Sequence, residues 1–283
     1  TKDLVTNTTA AETTEAQGLT AVSSTSHTYG TLAKVNTSAA TYVDWVFRNA
    51  PRFYHHTTLV KTGGSNATYD FSTLTTLGMV RVKRTDSAGS WYVWHRSLTA
   101  GKLLIGETTA AEATLGHITV SGTTLTLVDG VIADGTYLVE AWAHDTSATG
   151  IIQCGTFTTD GSGNATVNLG WEPQYVMDKA TPGANNWRVL DASRGMVANG
   201  NNNQVLYPNV ADAEANTTAS LYPNVTGFGA AAIGVTTYIY LAIRRPNKPP
   251  TSGTQVYNAI ARTGTGAAAT VTGVGFAPDL VVS

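Results

Sequence analysis

The residues that could do the most varied chemistry in this sequence lie in one short stretch, KRTDSAGSWYVWHRSL, at residues 83–98. The stretch combines basic side chains, an aspartate, serines and a histidine with two tryptophans and a tyrosine. Such a set could transfer a proton, or hold a ligand against its aromatic side chains. It could equally be the two strands and the turn of a β-hairpin. A second copy of the stretch in the same chain separates these interpretations.

The second copy is KATPGANNWRVLDASR, residues 179–194, at a constant offset of 96 residues. In this copy Pro182 stands where the first has Asp86, and Asp191 stands where the first has His95. A proline cannot replace a general acid or base, so these positions do not carry shared catalysis. The main positions that both copies keep hold Lys83 and Lys179, Trp91 and Trp187, Val93 and Val189, and Ser97 and Ser193. We therefore predict a hairpin in which these lysines and tryptophans are structural anchors.

The other chemistry-bearing residues lack the spacing that a catalytic or metal site needs. DGSGN, residues 160–164, resembles the start of a calcium loop, but its twelfth position is Trp171 and not a carboxylate. His55 and His56 are adjacent, so on a strand they would point to opposite faces. The single cysteine, Cys154, lies in an apolar stretch and is predicted to be a core residue. We predict no catalytic, cofactor-binding or metal-binding residue, and therefore no enzyme.

Aromatic side chains are the remaining candidates for ligand contact. The chain has 6 tryptophans and 12 tyrosines, enough to form platforms for sugar rings if some are exposed. Trp94 is the best candidate for an exposed aromatic, together with Tyr92. Both are candidate glycan contacts, and packing inside the fold is the alternative.

The internal repeat extends beyond the hairpin. Tyr42, Tyr137 and Tyr238 each follow a threonine at the start of an apolar stretch with a two-residue period, and they lie about 100 residues apart. A further pairing sets KLLIGETTAAEA, from residue 102, against QVLYPNVADAEA, from residue 204. We predict residues 1–60 as an N-terminal segment with the end of a preceding module, residues 61–158 and 159–262 as β-modules, and residues 263–283 as the start of a further module.

Composition favours an all-β fold. Gly and Asn cluster between apolar stretches, where they supply the positive φ of tight turns. We predict tandem β-sandwich modules of about 100 residues, similar to jelly rolls. The chain stops inside a strand-like stretch, so we expect a fragment of a longer chain that continues with a lysine or arginine and a tryptophan strand. A formal net charge of -2 and scattered basic residues argue against nucleic acid, and no apolar run predicts membrane insertion.

Three segments, LGWEPQYVMDK, VGFAPDLVVS and KRTDSAGSWYVWHRSL, together with the Thr-Tyr strand, resemble a repeated β-domain of tailed-bacteriophage virion proteins. In that family a Gly-aromatic-x-Pro opening leads to a Val-x-x-Lys strand, a Trp strand and a closing Tyr strand. The matching residues are Gly170, Trp171, Pro173, Val176 and Lys179 in one copy, and Gly275, Phe276, Pro278 and Val281 in the next. The first copy departs from the pattern at Met79, where both the aromatic residue and the proline are missing.

The resemblance covers most of residues 40–283 and implies a structural or adhesive component of a virion, such as a tail fibre, an appendage or a capsid decoration. It implies no catalytic residues and no cofactor. The expected partners are other virion proteins, further copies of the chain with a trimer as one candidate state, and a host surface glycan. The alternatives are an array of carbohydrate-binding modules that recognises host glycans, and a polysaccharide-degrading tail spike, which would need two facing carboxylates.

Overall fold

Short antiparallel strands form nearly all of the regular structure in this protein. The computed structural model describes residues 1–198 and 203–245. Within these residues, helix is confined to α1 (Ala33–Asn36) and to the 3₁₀ turns at Ser72–Leu74 and Ala192–Arg194. The predicted all-β, sandwich-type class is therefore confirmed.

The strands up to the middle of the chain include a complete first module. Four short strands precede it: β1 (Lys2–Asp3), β2 (Thr13–Thr14), β3 (Leu19–Val22) and β4 (His27–Tyr29). The module itself contains β5 (Tyr54–Lys61), β6 (Ala67–Asp70), β7 (Leu77–Arg84), β8 (Trp91–His95), β9 (Leu104–Ile105), β10 (Ile118–Ser121), β11 (Thr124–Leu127) and β12 (Gly135–Ala143).

The second module repeats this succession. Its strands are β13 (Ile152–Thr158), β14 (Ala165–Asn168), β15 (Pro173–Ala180), β16 (Arg188–Asp191), β17 (Asn203–Val205), β18 (Ala215–Thr217), β19 (Ser220–Asn224), β20 (Gly227–Ala231) and β21 (Thr237–Arg244). The large sheets have the orders β5-β12-β7-β8-β9 and β13-β21-β15-β16, so equivalent strands are neighbours in both. The small sheets, β6-β11-β10 and β14-β20-β19, also correspond strand by strand.

Each module is a sandwich of its large and its small sheet. In the second module, Val176 and Ala242 of the large sheet share a hydrophobic cluster with Phe228 and Leu221 of the small sheet. In the first module, Val80 and Ala141 take the equivalent positions in a cluster that contains the small-sheet residues Leu125 and Leu127. The alternation of side chains along β7 and β15 leaves a second face on each large sheet.

The second faces of the two large sheets meet each other. Met79 of β7 shares a hydrophobic cluster with Met177 and Val189 of the second module. Arg81, on the same face of β7, lines a cavity together with these two residues. These are equivalent faces of the two copies, because Met177 aligns with Arg81 at the repeat offset. Residues 1–245 consequently form one compact unit in which the modules share a core.

The N-terminal Thr-Tyr stretch differs from its two copies. Residues 40–49 form no strand, and Tyr42 is 49% exposed, whereas Tyr137 and Tyr238 lie buried on β12 and β21. Those two strands are central and pair on both sides. Among the described residues, the N-terminal stretch has no comparable strands beside it, so the sequence pattern alone does not produce a strand there.

The predicted domain bounds stay a prediction. The paired strands of the two modules run from Tyr54 to Ala143 and from Ile152 to Arg244. The part of the predicted second module after Arg245, and the predicted start of a further module at residues 263–283, lie outside the described residues.

Candidate docking site between modules

The lysine that both hairpins keep is fully buried and binds main-chain carbonyls. The Lys83 side chain has no solvent exposure, and its Nζ donates hydrogen bonds to the carbonyl oxygens of Thr9 at 3.0 Å, Arg84 at 3.1 Å and Gly89 at 2.9 Å. Burial lowers the pKa of Lys83, and the nearby Glu107 carboxylate partly opposes that shift. The ammonium therefore joins the end of β7, the hairpin turn and a segment near the N-terminus.

Lys179 repeats these contacts in the second module. Its Nζ donates to the carbonyl oxygens of Thr109 at 3.2 Å, Ala180 at 2.7 Å and Gly183 at 3.3 Å. Burial lowers the pKa of Lys179 to about 8. Two of the three acceptors are equivalent, because Ala180 follows Lys179 as Arg84 follows Lys83 and Thr109 corresponds to Thr9, while the third acceptor is a different carbonyl of the hairpin turn in each module.

The tryptophans that the two hairpins share bind the same two segments. The indole Nε1 of Trp91 donates to the Val5 carbonyl at 3.2 Å, and that of Trp187 donates to the Ile105 carbonyl at 3.5 Å. In each module, therefore, a lysine and a tryptophan hold one extended segment. We call these segments the first strap (residues 5–12) and the second strap (residues 105–112).

Main-chain hydrogen bonds complete the docking of each strap. The Glu12 amide donates to the Thr85 carbonyl at 2.9 Å, and the Glu112 amide donates to the Thr181 carbonyl at 2.9 Å. The turn amides of the two hairpins donate back to the straps, from Gly89 to Thr9 at 2.9 Å and from Asn185 to Thr109 at 3.0 Å. Each strap thus binds a hairpin through backbone donors and acceptors of both segments.

The two straps have different origins, and this gives the contact a direction. The second strap follows β8 of the first module and docks on the hairpin of the second module. It stays attached to its own module through Glu107, whose side chain accepts a hydrogen bond from the Trp91 amide at 3.0 Å. A module therefore binds the next module with its strap, and the preceding strap with its own hairpin.

The first and second straps share a short identical sequence, which the predicted alignment of residue 102 with residue 204 misses. Thr-Thr-Ala-Ala-Glu occupies residues 8–12 and again residues 108–112. The predicted repeat matches the second strap only with the segment that begins at residue 204 and leaves the N-terminus without a counterpart. Five identical consecutive residues at an offset of 100 would have placed the N-terminus on the Lys83 hairpin.

The two closing tyrosines anchor their strands in the same way. The Tyr137 hydroxyl donates to the Ala133 carbonyl at 2.6 Å, and the Tyr238 hydroxyl donates to the Gly234 carbonyl at 3.1 Å, each four residues back along the chain. Tyr42 instead donates to the Ala33 carbonyl at 3.1 Å, nine residues back. The buried tyrosine therefore fixes the turn that precedes its strand only in the two complete modules.

The candidate glycan contacts do not form an exposed platform. Tyr92 and Trp94 lie on one face of β8, opposite Val82 and Val80, and both are half-buried against the first module's hydrophobic cluster. Tyr92 stacks on His117 with 4.2 Å between the ring centroids. Their aromatic faces are thus largely used inside the sandwich.

A cavity of about 330 Å³ lies where the two modules and the N-terminal segment meet. We call it the junction cavity. Its wall contains five aromatic side chains and the ion pair of Arg81 and Glu140, in which Arg81 Nη2 lies 2.6 Å from Glu140 Oε2. The Trp142 indole Nε1 is buried at this wall and has no hydrogen-bond partner among the described residues. The aromatic residues that line the cavity are Trp45, Phe47, Trp142, Tyr175 and Tyr207.

The carboxylates that a hydrolase would require are bound to structural partners. Asp86 Oδ1 accepts a hydrogen bond from Arg84 Nε at 2.7 Å, and Glu112 Oε2 accepts one from the Thr99 amide at 3.0 Å. Burial raises the pKa of the Cys154 thiol, so it stays protonated. No group of three metal-ligating side chains occurs in residues 1–198 and 203–245. In the same residues, no helix has the length and apolar character to cross a membrane.

Comparison with known proteins gives one match. The model of the family described as a domain of unknown function, DUF7483, matches residues 57–244, which is more than half of the chain. The chain belongs to this family. The matched range runs from β5 to β21, so the DUF7483 domain contains both modules and the strap contact between them. No curated protein and no solved structure matches.

Proposed function

We propose that this DUF7483 protein is a non-enzymatic structural component of a bacteriophage virion, built from tandem β-modules that bind one another through straps. The observation that carries the proposal is the duplicated docking of a strap on Lys83 with Trp91 and on Lys179 with Trp187. A directional contact of this kind can be repeated from module to module without limit. It suits a tail fibre, an appendage or a capsid decoration.

Two further features support a structural role. The most distinctive polar groups of the chain, the buried lysines, are saturated by carbonyl groups and hold backbone segments together. The resemblance of the repeat to a β-domain of tailed-phage virion proteins is the reason for proposing a virion as the assembly in which the chain acts. We propose other virion proteins and further copies of the chain, including a trimer, as its partners.

The virion assignment is tested on purified particles of the phage that encodes the chain. Mass spectrometry should detect peptides from both modules at a fixed ratio to the major capsid protein. Antibodies against the module at residues 54–143 should label one defined part of the particle in electron micrographs. Particles that contain no such peptides would overturn the assignment.

The junction cavity favours glycan binding as a second candidate function. Its aromatic wall, the Arg81–Glu140 ion pair and the unpartnered Trp142 indole combine apolar surface with hydrogen-bonding groups, as sugar sites do. Titration with bacterial surface oligosaccharides, followed by tryptophan fluorescence, tests this function. Binding should be lost in Trp45→Ala, which changes the cavity wall, and kept in Trp94→Ala, which does not. Equal loss in both variants, or no binding to the wild type, would rule out the cavity as the site.

A further inference from the structure

A third segment has the conformation of a strap. In residues 207–214, which we call the third strap, the Val210 amide donates to the Tyr207 carbonyl at 3.1 Å. The same turn occurs in the first strap, from Thr8 to Val5, and in the second, from Thr108 to Ile105, both at 3.4 Å. The three segments therefore share a local fold, although the third lacks the Thr-Thr-Ala-Ala-Glu sequence of the first two.

The third strap is also attached to its own module in the way the second strap is. The Asn209 side chain accepts a hydrogen bond from the Trp187 amide at 2.9 Å, as Glu107 does from the Trp91 amide. Just before the strap, Leu206 pairs with Val189, the equivalent of the pairing of Leu104 with Val93. The second module thus presents its strap as the first module does.

The docking groups of the third strap have no partner among the described residues. The Thr109 carbonyl of the second strap receives hydrogen bonds from Lys179 and from the Asn185 amide, but the equivalent Ala211 carbonyl receives none within residues 1–198 and 203–245. The Glu112 amide has the Thr181 carbonyl as acceptor, whereas the Glu214 amide has no acceptor in the same ranges. All residues from 211 to 214 are exposed.

We propose that the third strap is the docking site for the next copy of the module, whose buried lysine and tryptophan bind the carbonyl groups of Ala211 and Tyr207. This inference rests on the proposed function and names the partner of the third strap. The equivalent groups of the first two straps, Thr9 with Val5 and Thr109 with Ile105, show the chemistry of the contact: an ammonium and an indole N–H about 3.0–3.5 Å from main-chain oxygens.

The chain itself identifies the occupant as a further module and not as a second molecule. In a second molecule of this protein, Lys83 and Lys179 already bind the straps of that molecule. A second molecule therefore has neither of these lysines available to bind the third strap. Residues 263–283 repeat the opening of the second module, with Gly275, Phe276, Pro278 and Val281 at the positions of Gly170, Trp171, Pro173 and Val176. At this offset of 105 residues, the position equivalent to Lys179 is 284.

The test extends the full chain after Ser283 with a copy of residues 179–245, which supplies the lysine, the turn and the tryptophan strand. One pair of cysteines reports on the existing contact, Thr109→Cys with Asn185→Cys. A second pair reports on the proposed contact, Ala211→Cys with the same Asn185→Cys change in the appended copy. Residues joined by a single main-chain hydrogen bond lie close enough for a disulfide.

We expect both pairs to oxidise to disulfides in similar yield. We also expect the Glu214 amide to exchange hydrogen about a hundredfold more slowly in the extended chain than in the 283-residue chain. If the existing pair forms a disulfide and the new pair does not, the third strap is not a docking site, while the proposed function stands. If neither pair forms, the strap contact itself is wrong and the proposed function fails with it.

A second extension guards against an appended copy that does not fold. It carries residues 83–143 of the first module after Ser283, with Gly89→Cys in the appended copy as the partner of Ala211→Cys. Repeat modules depend on their neighbours for stability, so an appended module that docks should be protected from exchange. Appended modules that remain unprotected in both extensions would overturn the inference.

Discussion

His95 of the first module and Tyr240 of the second are joined by a buried hydrogen bond, with His95 Nε2 3.0 Å from the Tyr240 carbonyl oxygen. The other ring nitrogen, Nδ1, accepts a hydrogen bond from the Ser97 amide at 3.2 Å. A carbonyl can only accept, so Nε2 carries the proton and Nδ1 does not. Burial, reinforced by the nearby Arg96 and His144, lowers the pKa of His95 to about 3. Protonation of Nδ1 would keep the hydrogen bond to Tyr240 but would remove the acceptor of the Ser97 amide and bury a charge, so the folded protein favours the neutral histidine.

The first prediction is that acid destabilises the folded protein at this buried histidine. The pKa of His95 is lower in the folded state than its ordinary value of 6.5, so the unfolded chain binds more protons between about pH 3 and pH 6.5. The contribution of His95 to the free energy of unfolding is then complete above pH 6.5 and declines as the pH falls through this range. Denaturant titrations at half-unit steps from pH 4 to pH 8 measure the decline.

The variant His95→Gln isolates the effect, because a glutamine amide can still donate to the Tyr240 carbonyl but does not titrate. The free energy of unfolding should depend less steeply on pH in His95→Gln than in the wild type. The half-buried His144 titrates in both proteins and cancels in the difference. Parallel curves for the two proteins would contradict the prediction.

The second prediction concerns the opposite end of the pH scale. Because burial lowers the pKa of Lys179 to about 8, the unfolded chain binds more protons than the folded chain between about pH 8 and the ordinary lysine pKa of 10.5. The penalty for burying this ammonium should therefore decrease as the pH rises through that range. Carbon chemical shifts of labelled lysines measure the pKa directly, and the pKa of Lys179 should lie well below the ordinary lysine value of 10.5. A Lys179 pKa at or above that ordinary value would contradict the prediction.

The anchors of the fold could be predicted because the sequence contains the same module twice. Lys83 and Lys179, which occupy the same position when the two hairpins are aligned, are the residues that bind the straps. Their partners could not be identified in this way, since the acceptors are main-chain carbonyl groups and any residue type provides one. The Ala-rich stretch TTAAEAT, residues 108–114, could form one helical turn by its sequence, but no helix forms there because the segment makes tertiary contacts with the next hairpin.

The shared core between the modules could not be predicted from the sequence. An alternating strand pattern shows which residues share a face, but it does not show what covers that face. Arg81 illustrates the difficulty: its position on a strand between apolar neighbours looks solvent-facing. Its guanidinium in fact lies 5.1 Å from the ring centroids of both Trp91 and Trp142 and pairs with Glu140. Tyr42 shows the reverse case, in which a buried-strand pattern lacks the neighbours that would bury it.

The third prediction is that each buried lysine controls its own strap. In Lys83→Met, the Glu12 amide should exchange hydrogen faster, while the Glu112 amide should be unchanged; Lys179→Met should have the converse effect. Loss of the ammonium leaves carbonyl groups of the strap and the turn without a donor, so each variant should lose about 1–3 kcal/mol of stability. Hydrogen exchange followed by NMR gives the local effect, and thermal unfolding gives the global one. Equal loosening of both straps in either variant would contradict the assignment of one strap to one lysine.

The last prediction uses a cross-strand pair that the two modules fill differently. Asp178 pairs with Arg188 across β15 and β16, with Arg188 Nε 3.0 Å from Asp178 Oδ1, while Val82 and Tyr92 take the equivalent positions in the first module. Both residues of the pair differ between the modules, so Val82 with Tyr92 shows that the same sheet position also accepts a pair without charges. Removing one ion of a buried pair leaves the other uncompensated, at a cost of about 3–5 kcal/mol.

We therefore expect Asp178→Val and Arg188→Tyr to be strongly destabilising as single variants, and the double variant to recover most of the lost stability. The free energies of unfolding of the wild type, both single variants and the double variant form a cycle that measures the coupling. A matched control is the transfer in the other direction, Val82→Asp with Tyr92→Arg, at a position where Tyr92 stacks on His117. Additive single effects in the second module would show that the Asp178–Arg188 pair contributes nothing specific to the sheet.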